Sequence, residues 1–430
     1  MRALTLTIVA SLFTLTGCDL LKHGSSADGG ATTANSTTTT SGGNANGNNG
    51  GSTAPTGVAT ADNAKNDPAN GATSACAWPQ DNGLEKNFTI TKGCNITAKH
   101  NLDIREGATL TIEQGVKIAF DTDTYVWVRY GKLVIQGTAD APVTFTSSNT
   151  SPAPGDWVGI GFEDKTGSGT TIDHLIMEYT GSKSSGGHGA VELEDMRTGG
   201  RISITNSTFK NGAQFGIVAG DNATFAKFEN NTFKDLKSGA MNVKAEVLGS
   251  VGHGNAWNGL AIHVKPSDVD QTTTWPAVDV PIFVDGDINI HSDSSVPALT
   301  IADKSIVKMT SNAMINVGES NPGALVAKNV TFTSSSPSPS EGDWSGVFLH
   351  PKSSGSTIDN CIFEYFGSGS HGAHGAITLE DVNAKDLHGI TVTNNTFRKG
   401  KWQGIYTDDG DCKTMSSNKG DGIPACGKNR

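Results

Sequence analysis

From Phe88 onward the chain runs in short apolar alternations broken by Gly, Asn, Asp and Ser: Leu110-Thr111-Ile112, Val116-Lys117-Ile118-Ala119-Phe120, Val126-Trp127-Val128 and Leu133-Val134-Ile135. Alternation with period two puts every second side chain on one face of a strand. Runs of about three to five residues with frequent turn residues between them therefore predict strands. No stretch holds a 3.6-residue pattern long enough for a helix. The expected class is all-β.

The pattern repeats at two scales. Val143-Thr144-Phe145-Thr146-Ser147-Ser148, a Pro/Ser loop and Gly155-Asp156-Trp157 return as Val330-Thr331-Phe332-Thr333-Ser334-Ser335, a second Pro/Ser loop and Gly342-Asp343-Trp344. Thr171-Ile172-Asp173 and Glu178-Tyr179 are matched by Thr357-Ile358-Asp359 and Glu364-Tyr365. Inside each copy lies a finer period: Gly followed by an apolar residue recurs at Gly189, Gly216, Gly239 and Gly259. Asn206-Ser207-Thr208-Phe209 is echoed by Asn230-Asn231-Thr232-Phe233 and by Asn394-Asn395-Thr396-Phe397. A period of roughly 20–27 residues predicts a coil of short strands, each turn lying on the last. Apolar ladders would fill its inside, and Asn at a fixed turn position would bond the coils above and below. About 14 coils are expected, continuous across the two halves and interrupted between Lys265 and Val280. A pair of sandwiches, one per copy, is the alternative; the Leu-x-x-Leu-x-Leu pattern of a leucine-rich repeat is missing.

Leu110 to Phe120, Gly131-Lys132-Leu133, Gly137-Thr138-Ala139, Gly155-Asp156-Trp157-Val158-Gly159-Ile160 and the Asn-x-Thr-Phe phrases resemble bacterial surface proteins of the right-handed parallel β-helix type, with the pectin-lyase-like superfamily fold. The resemblance spans about residues 84 to 410. It implies a right-handed parallel β-helix solenoid in two tandem related halves, and it says little of function. The superfamily includes polysaccharide lyases, glycoside hydrolases and adhesins.

The N-terminus changes where such a rod would sit. Met1-Arg2, an apolar run from Ala3 to Leu15 and Leu15-Thr16-Gly17-Cys18 are similar to a bacterial lipoprotein signal, which implies residues 1–17 as signal peptide and Cys18 as the lipidated first residue of the mature chain. Residues 18–75 are almost wholly Gly, Ser, Thr, Asn and Ala, and predict a flexible tether. Residues 76–270 and 271–430 would be the two halves of the rod, the second with a C-terminal cap. The expected place is the cell membrane or outer membrane, lipid-anchored, in the periplasm or at the surface.

The formal charge of −11 argues against nucleic acid, whose phosphates need clustered Lys and Arg. Of the cysteines other than Cys18, Cys76 with Cys94 and Cys412 with Cys426 flank the two ends of the repeat and are candidate disulfides. Cys361 takes the place of Leu175 and reads as a small core hydrophobe.

Candidate chemistry is sparse. Glu192 and Glu194 alternate with Val191 and Leu193, so both carboxylates share one strand face about 6.8 Å apart, within the range of an inverting glycosidase pair. His188 in Gly186-Gly187-His188-Gly189 is similar to the Gly-His-Gly of β-helix polygalacturonases, yet the paired Asp and downstream basic motif of that family are missing. His188, Glu192, Glu194 and Asp195 are thus candidate catalytic residues, with a solvated polar face as the plainer account. Asp121 and Asp123, or Asp408, Asp409 and Asp411, are the nearest approach to a calcium cluster, without the spacing of a calcium loop. No cofactor and no metal-ligating residue is expected, with calcium as the alternative. Trp157 and Trp344, with Tyr179 and Tyr365 at lower rank, are candidate carbohydrate-binding residues. Counting parity back from Ile160 and Val347 puts both tryptophans outside, where they either stack on sugar or lie under the preceding Pro/Ser loop. The expected activity is binding of a polysaccharide or other envelope component. A polysaccharide lyase or glycoside hydrolase, and a structural or adhesive protein with a protein partner, are the alternatives.

Overall fold

The computed structural model describes residues 74–428 apart from 164–168, 185–187, 195–200, 221, 373, 383–384 and 386. Cys18, with its signal and the expected tether up to residue 73, and Asp195 lie outside the described residues; Ser74–Ala75, the last two residues of that tether, already pair with Thr89 and Ile90. Strands dominate the rest, and they pair in parallel with partners one circuit away: Gly159–Phe162 lies between Tyr125–Val128 and Gly189–Leu193. The chain is a parallel β-helix whose circuits visit three faces in turn. The long face is one 14-stranded sheet from Gly83–Leu84 to Lys419–Asp421. The second face is a 7-stranded sheet ending at Thr224–Glu229, followed by another 7-stranded sheet that begins at Ser267–Val269. The third is a 6-stranded sheet ending at Thr232–Lys234, followed by a 5-stranded sheet that begins at Thr273–Trp275.

The interruption is a helical turn, Ala245–Leu248, packed against Thr224–Glu229 and Ser267–Val269 where a second-face strand would stand. Ala245 N–H donates to Ser267 Oγ at 3.0 Å, and Trp275 Nε1 donates to the Ala245 carbonyl at 3.0 Å. It comes earlier than the expected Lys265 to Val280. Pro266 and Pro276 in that stretch sit at corners, immediately before Ser267–Val269 and after Thr273–Trp275, where a missing N–H costs no ladder bond.

Parallel stacking at about 4.8 Å per coil brings like side chains over one another. Phe209 and Phe233 stack with centroids 5.3 Å apart, Phe332 and Phe363 at 4.9 Å. The Asn corners behave as the repeat predicts. Asn206, Asn230 and Asn394 take left-handed φ of 52°, 56° and 58°, a region that Asn tolerates better than most residues. After Asn230 and Asn394 a second Asn follows, is buried and ties three coils. Asn231 Oδ1 accepts from Ser207 N–H at 3.0 Å, its amide donates to the Ile204 carbonyl at 2.9 Å, and its own N–H donates to Asn255 Oδ1 at 3.0 Å. Asn395 repeats this with Cys361, Ile358 and Asn418. Both end disulfides, Cys76–Cys94 and Cys412–Cys426, are formed. Cys361 is unpaired and buried, and burial pushes its thiol up to about 11.

The two copies do not sit in phase. Gly159–Phe162 lies on the long face, but its counterpart Gly346–Leu349 lies on the second. Likewise Val143–Ser147 is on the third face and Thr331–Ser334 on the long one. From Gly159–Phe162 the long face climbs seven steps to Thr331–Ser334, and the matching strand follows one side later. The long repeat is therefore seven coils and one side, and the second copy is turned by one face of three.

Candidate functional site

Trp157 and Trp344 are not on the surface. Each is fully buried, and each indole N–H donates to the carbonyl of the matching glutamate, Glu178 at 2.8 Å and Glu364 at 2.7 Å. Trp157 lies flat on Phe120 with centroids 4.1 Å apart. Their assignment as sugar platforms is corrected. The parity count fails because it passes through Gly159 and Gly346, whose φ of 142° and 147° break regular alternation. A Cβ at Gly159 would lie 2.6 Å from the Ala190 carbonyl, so no other residue fits there. The neighbouring Asp closes the Pro/Ser loop: Asp156 Oδ2 accepts from Ser147 Oγ at 2.6 Å and Ala153 N–H at 3.0 Å, and Asp343 does the same with Ser334 and Ser340. Burial opposes ionisation of Asp156, but these bonds prevail and hold its carboxyl below the usual range. Gly-Asp-Trp is a structural device. Tyr179 and Tyr365 are half-buried corner residues with φ of 66° and 62°, and Tyr365 OH accepts from Lys399 Nζ at 2.9 Å. They do not form a surface with the tryptophans.

The outward positions of the long face form one unbroken register: Asp103, Trp127, Gly161, Glu192, Val218, Asn242, His263, Phe283 and Lys308. Each inner neighbour is apolar, as in Ile262-His263-Val264 and Ile282-Phe283-Val284, so the backbone aims the central residue out. At its N-terminal end Trp127 covers the bare backbone of Gly161, where a Cβ would meet the ring at 2.5 Å. Arg129 lies 5.6 Å from the Trp127 ring and pairs with Glu163 at 3.1 Å and Asp103 at 3.8 Å; Asp103 also pairs with Arg105. Further along, Asn242, His263, Phe283 and Lys308 are half-buried. His263 stacks on Phe283 at 5.0 Å and lies edge-on to Phe215 at 5.4 Å, with Asp285 2.8 Å from its Nδ1. Lys308 Nζ stands 5.2 Å over Phe283. Trp127 Nε1 and Asn242 Oδ1 have no hydrogen-bond partner.

The sequence-derived carboxylates lie on this stripe. Glu192 is 8% exposed, bonded to His188 through Nδ1 at 3.2 Å and the backbone N–H at 3.3 Å. Glu194 stands beside Glu163, since its N–H donates to the Phe162 carbonyl. Burial, then the Glu192 and Glu163 carboxylates, push Glu194 above the usual carboxylate range, against Arg129 and His188. A carboxyl of raised proton affinity beside a second carboxyl is the pairing that general acid catalysis uses. The acidic turns are engaged locally: Asp121 and Asp123 accept from Ser148 and Ser182, and Asp408 from Asp381 N–H. Among the described residues no group of three or more His, Cys, Asp or Glu could hold a metal ion.

Sequence reasoning missed Trp127, Arg129, His263 and Phe283. The signal was available: each of the two rings and the histidine sits between two apolar residues, the parity at which a side chain must face out. Only alignment of the coils puts them in one row.

Residues 83–165 match the model of the pectate-lyase-like β-helix domain. No curated protein and no solved structure matches the chain. The matched segment ends where the stripe begins to gather its carboxylates, while the same coil continues to the C-terminal cap. The fold is compatible with polysaccharide binding or degradation.

Proposed function

We propose that this is a lipid-anchored cell-envelope protein whose rod binds an uncharged polysaccharide along the outward stripe of the long face. The observation that carries the reading is the stacked pair His263 and Phe283, met edge-on by Phe215, with the unpartnered Asn242 Oδ1 on the adjoining strand; Asn242, His263 and Phe283 are in one register with Trp127 and Glu192. Flat rings offer apolar faces to the C–H side of a sugar, and carboxylates and amides accept its hydroxyls. From Glu192 to Phe283 the register climbs four coils, roughly 19 Å at the spacing of paired strands. The net charge of −11 and the carboxylates at the stripe disfavour an acidic polymer. The Leu15-Thr16-Gly17-Cys18 signal supports the anchor, and Cys18→Ser should release the protein from membranes.

The test is retention on immobilised neutral polysaccharides. Phe283→Ala and His263→Ala should each weaken retention about tenfold, the equivalent of ~1.4 kcal/mol, without lowering the melting temperature of the rod. Unchanged retention in both variants would end the stripe reading. The raised proton affinity of Glu194 favours a second reading, polysaccharide degradation. Release of reducing or unsaturated ends that disappears in Glu194→Gln would establish it.

A further inference from the structure

The second copy carries its own row of outward residues, on the second face. Asn316, Phe348, Thr378 and Tyr406 are in register there, at the places that Trp127, Gly161, Glu192 and Val218 hold in the first copy. Thr378 is 3% exposed, and its Oγ1 has no hydrogen-bond partner. His374 and Trp402, each just before a strand of this sheet, close one side. The His374 ring lies 5.0 Å from Tyr406 and 6.3 Å from Trp402. His374 Nδ1 and Trp402 Nε1 are unpartnered as well. Tyr406, the register partner of Thr378 and ring neighbour of His374, links the three, and unsatisfied polar groups gathered in this way are rare in native structures, because each keeps its desolvation cost with no bond in return. Trp402 can only donate, while Thr378 and His374 can donate or accept. Sugar hydroxyls, which donate and accept, satisfy such a set; an anion could accept from all three, but the Asp408 and Glu380 carboxylates next to Tyr406 repel one.

We propose that this cluster is a second glycan site, and that the rod joins two polysaccharide chains on different faces. The inference takes its ligand class from the reading of the long face. The offset of seven coils and one side is what makes the pair a bridge: in-phase copies would have given one longer track. The site is built around Thr378, Tyr406, His374 and Trp402. Indole and phenol supply the stacking surface, and Thr378 Oγ1 binds a sugar hydroxyl.

The experiment titrates the full-length protein with hexasaccharides of glucose and of N-acetylglucosamine, and follows light scattering with the parent polymers. The expected result is two equivalents bound. One is lost in Phe283→Ala and the other in Trp402→Ala, and cross-linking of polymer by the wild type is absent in both variants. Thr378→Val keeps shape and removes only the unpaired hydroxyl, so it should melt no lower than the wild type while weakening the second site about tenfold. One equivalent that survives Trp402→Ala and Thr378→Val but not Phe283→Ala overturns the second site and leaves the long-face reading standing. One equivalent lost in Trp402→Ala alone overturns the long-face reading and the bridge with it. No binding of any of these sugars overturns both.

Discussion

At matching places the first copy carries Gly161, Glu163, Glu192 and Glu194, and the second carries Phe348, His350, Thr378 and Glu380. The backbone is the same; the electrostatics are not. In the first copy three carboxylates crowd two adjacent strand ends, and Glu194 resists ionisation there. In the second, His350 replaces one of them, lies 3.7 Å from Glu380 and 2.7 Å from Asn316, and Thr378 removes another charge. The inward positions, by contrast, stay apolar even where the residue changes, as from Leu175 to Cys361, and Trp157 with Trp344 and the loop-closing Asp156 with Asp343 keep both residue and role. An inner side chain is constrained by every coil it touches, whereas an outer one answers only to its neighbours on the face. The two copies thus differ most at the outward positions, and least where the coils hold together.

The largest test of this contrast is in the core. Trp157→Ala and Trp344→Ala should each destabilise the rod by about 3–5 kcal/mol, read as a drop in thermal melting, because each leaves a large cavity and an unpaired carbonyl. Loss of sugar retention with an unchanged melting curve would show the tryptophans to be surface residues after all. Gly161→Ala tests whether the outer positions are interchangeable. The second copy accepts Phe at that place, but in the first the Trp127 ring already occupies the space, so alanine should cost about 1–3 kcal/mol in chemical denaturation.

Titration sharpens the electrostatic difference. Glu194 has a raised proton affinity in the fold, so across the window from the ordinary carboxylate range up to that raised value the folded protein binds more protons than the unfolded chain. Stability from this group is therefore full below the window and falls as pH rises through it. Relative to wild type, Glu194→Gln should gain melting temperature as pH rises through that window, while Glu380→Gln, which takes a partner from His350, should not gain. Equal behaviour of the two variants would remove the asymmetry. The smallest effect belongs to Cys361. Cys361→Leu restores the first copy's residue and should change stability by less than about 1.5 kcal/mol. The native thiol should resist alkylation at pH 8 and react only on unfolding, since burial keeps it protonated.

The fold was legible because its cause is local. Alternation, glycine spacing and the Asn-x-Thr-Phe corners each follow from one strand or one bend, and every coil states them again. The end disulfides were legible for the same reason, since each closes a short loop: the paired cysteines are 18 and 14 residues apart. Trp157 was misplaced because a single glycine at φ 142° reverses parity. The conformation of that glycine is set by the Ala190 carbonyl, which leaves no room for a Cβ and belongs to the next coil.

By itself the sequence determined a parallel coil of short strands, its repeat and its buried Asn ties, because these depend on period and residue type. Only the tertiary structure decided that the repeat spans seven coils and one side, so that equivalent faces point apart. It also decided that His263 and Phe283, on successive strands of the long face, become stacked neighbours, and that Glu194 meets Glu163 across a strand boundary. Those facts depend on how many residues each corner consumes, a length that varies from coil to coil and is settled only when each strand finds its partner in the coil below.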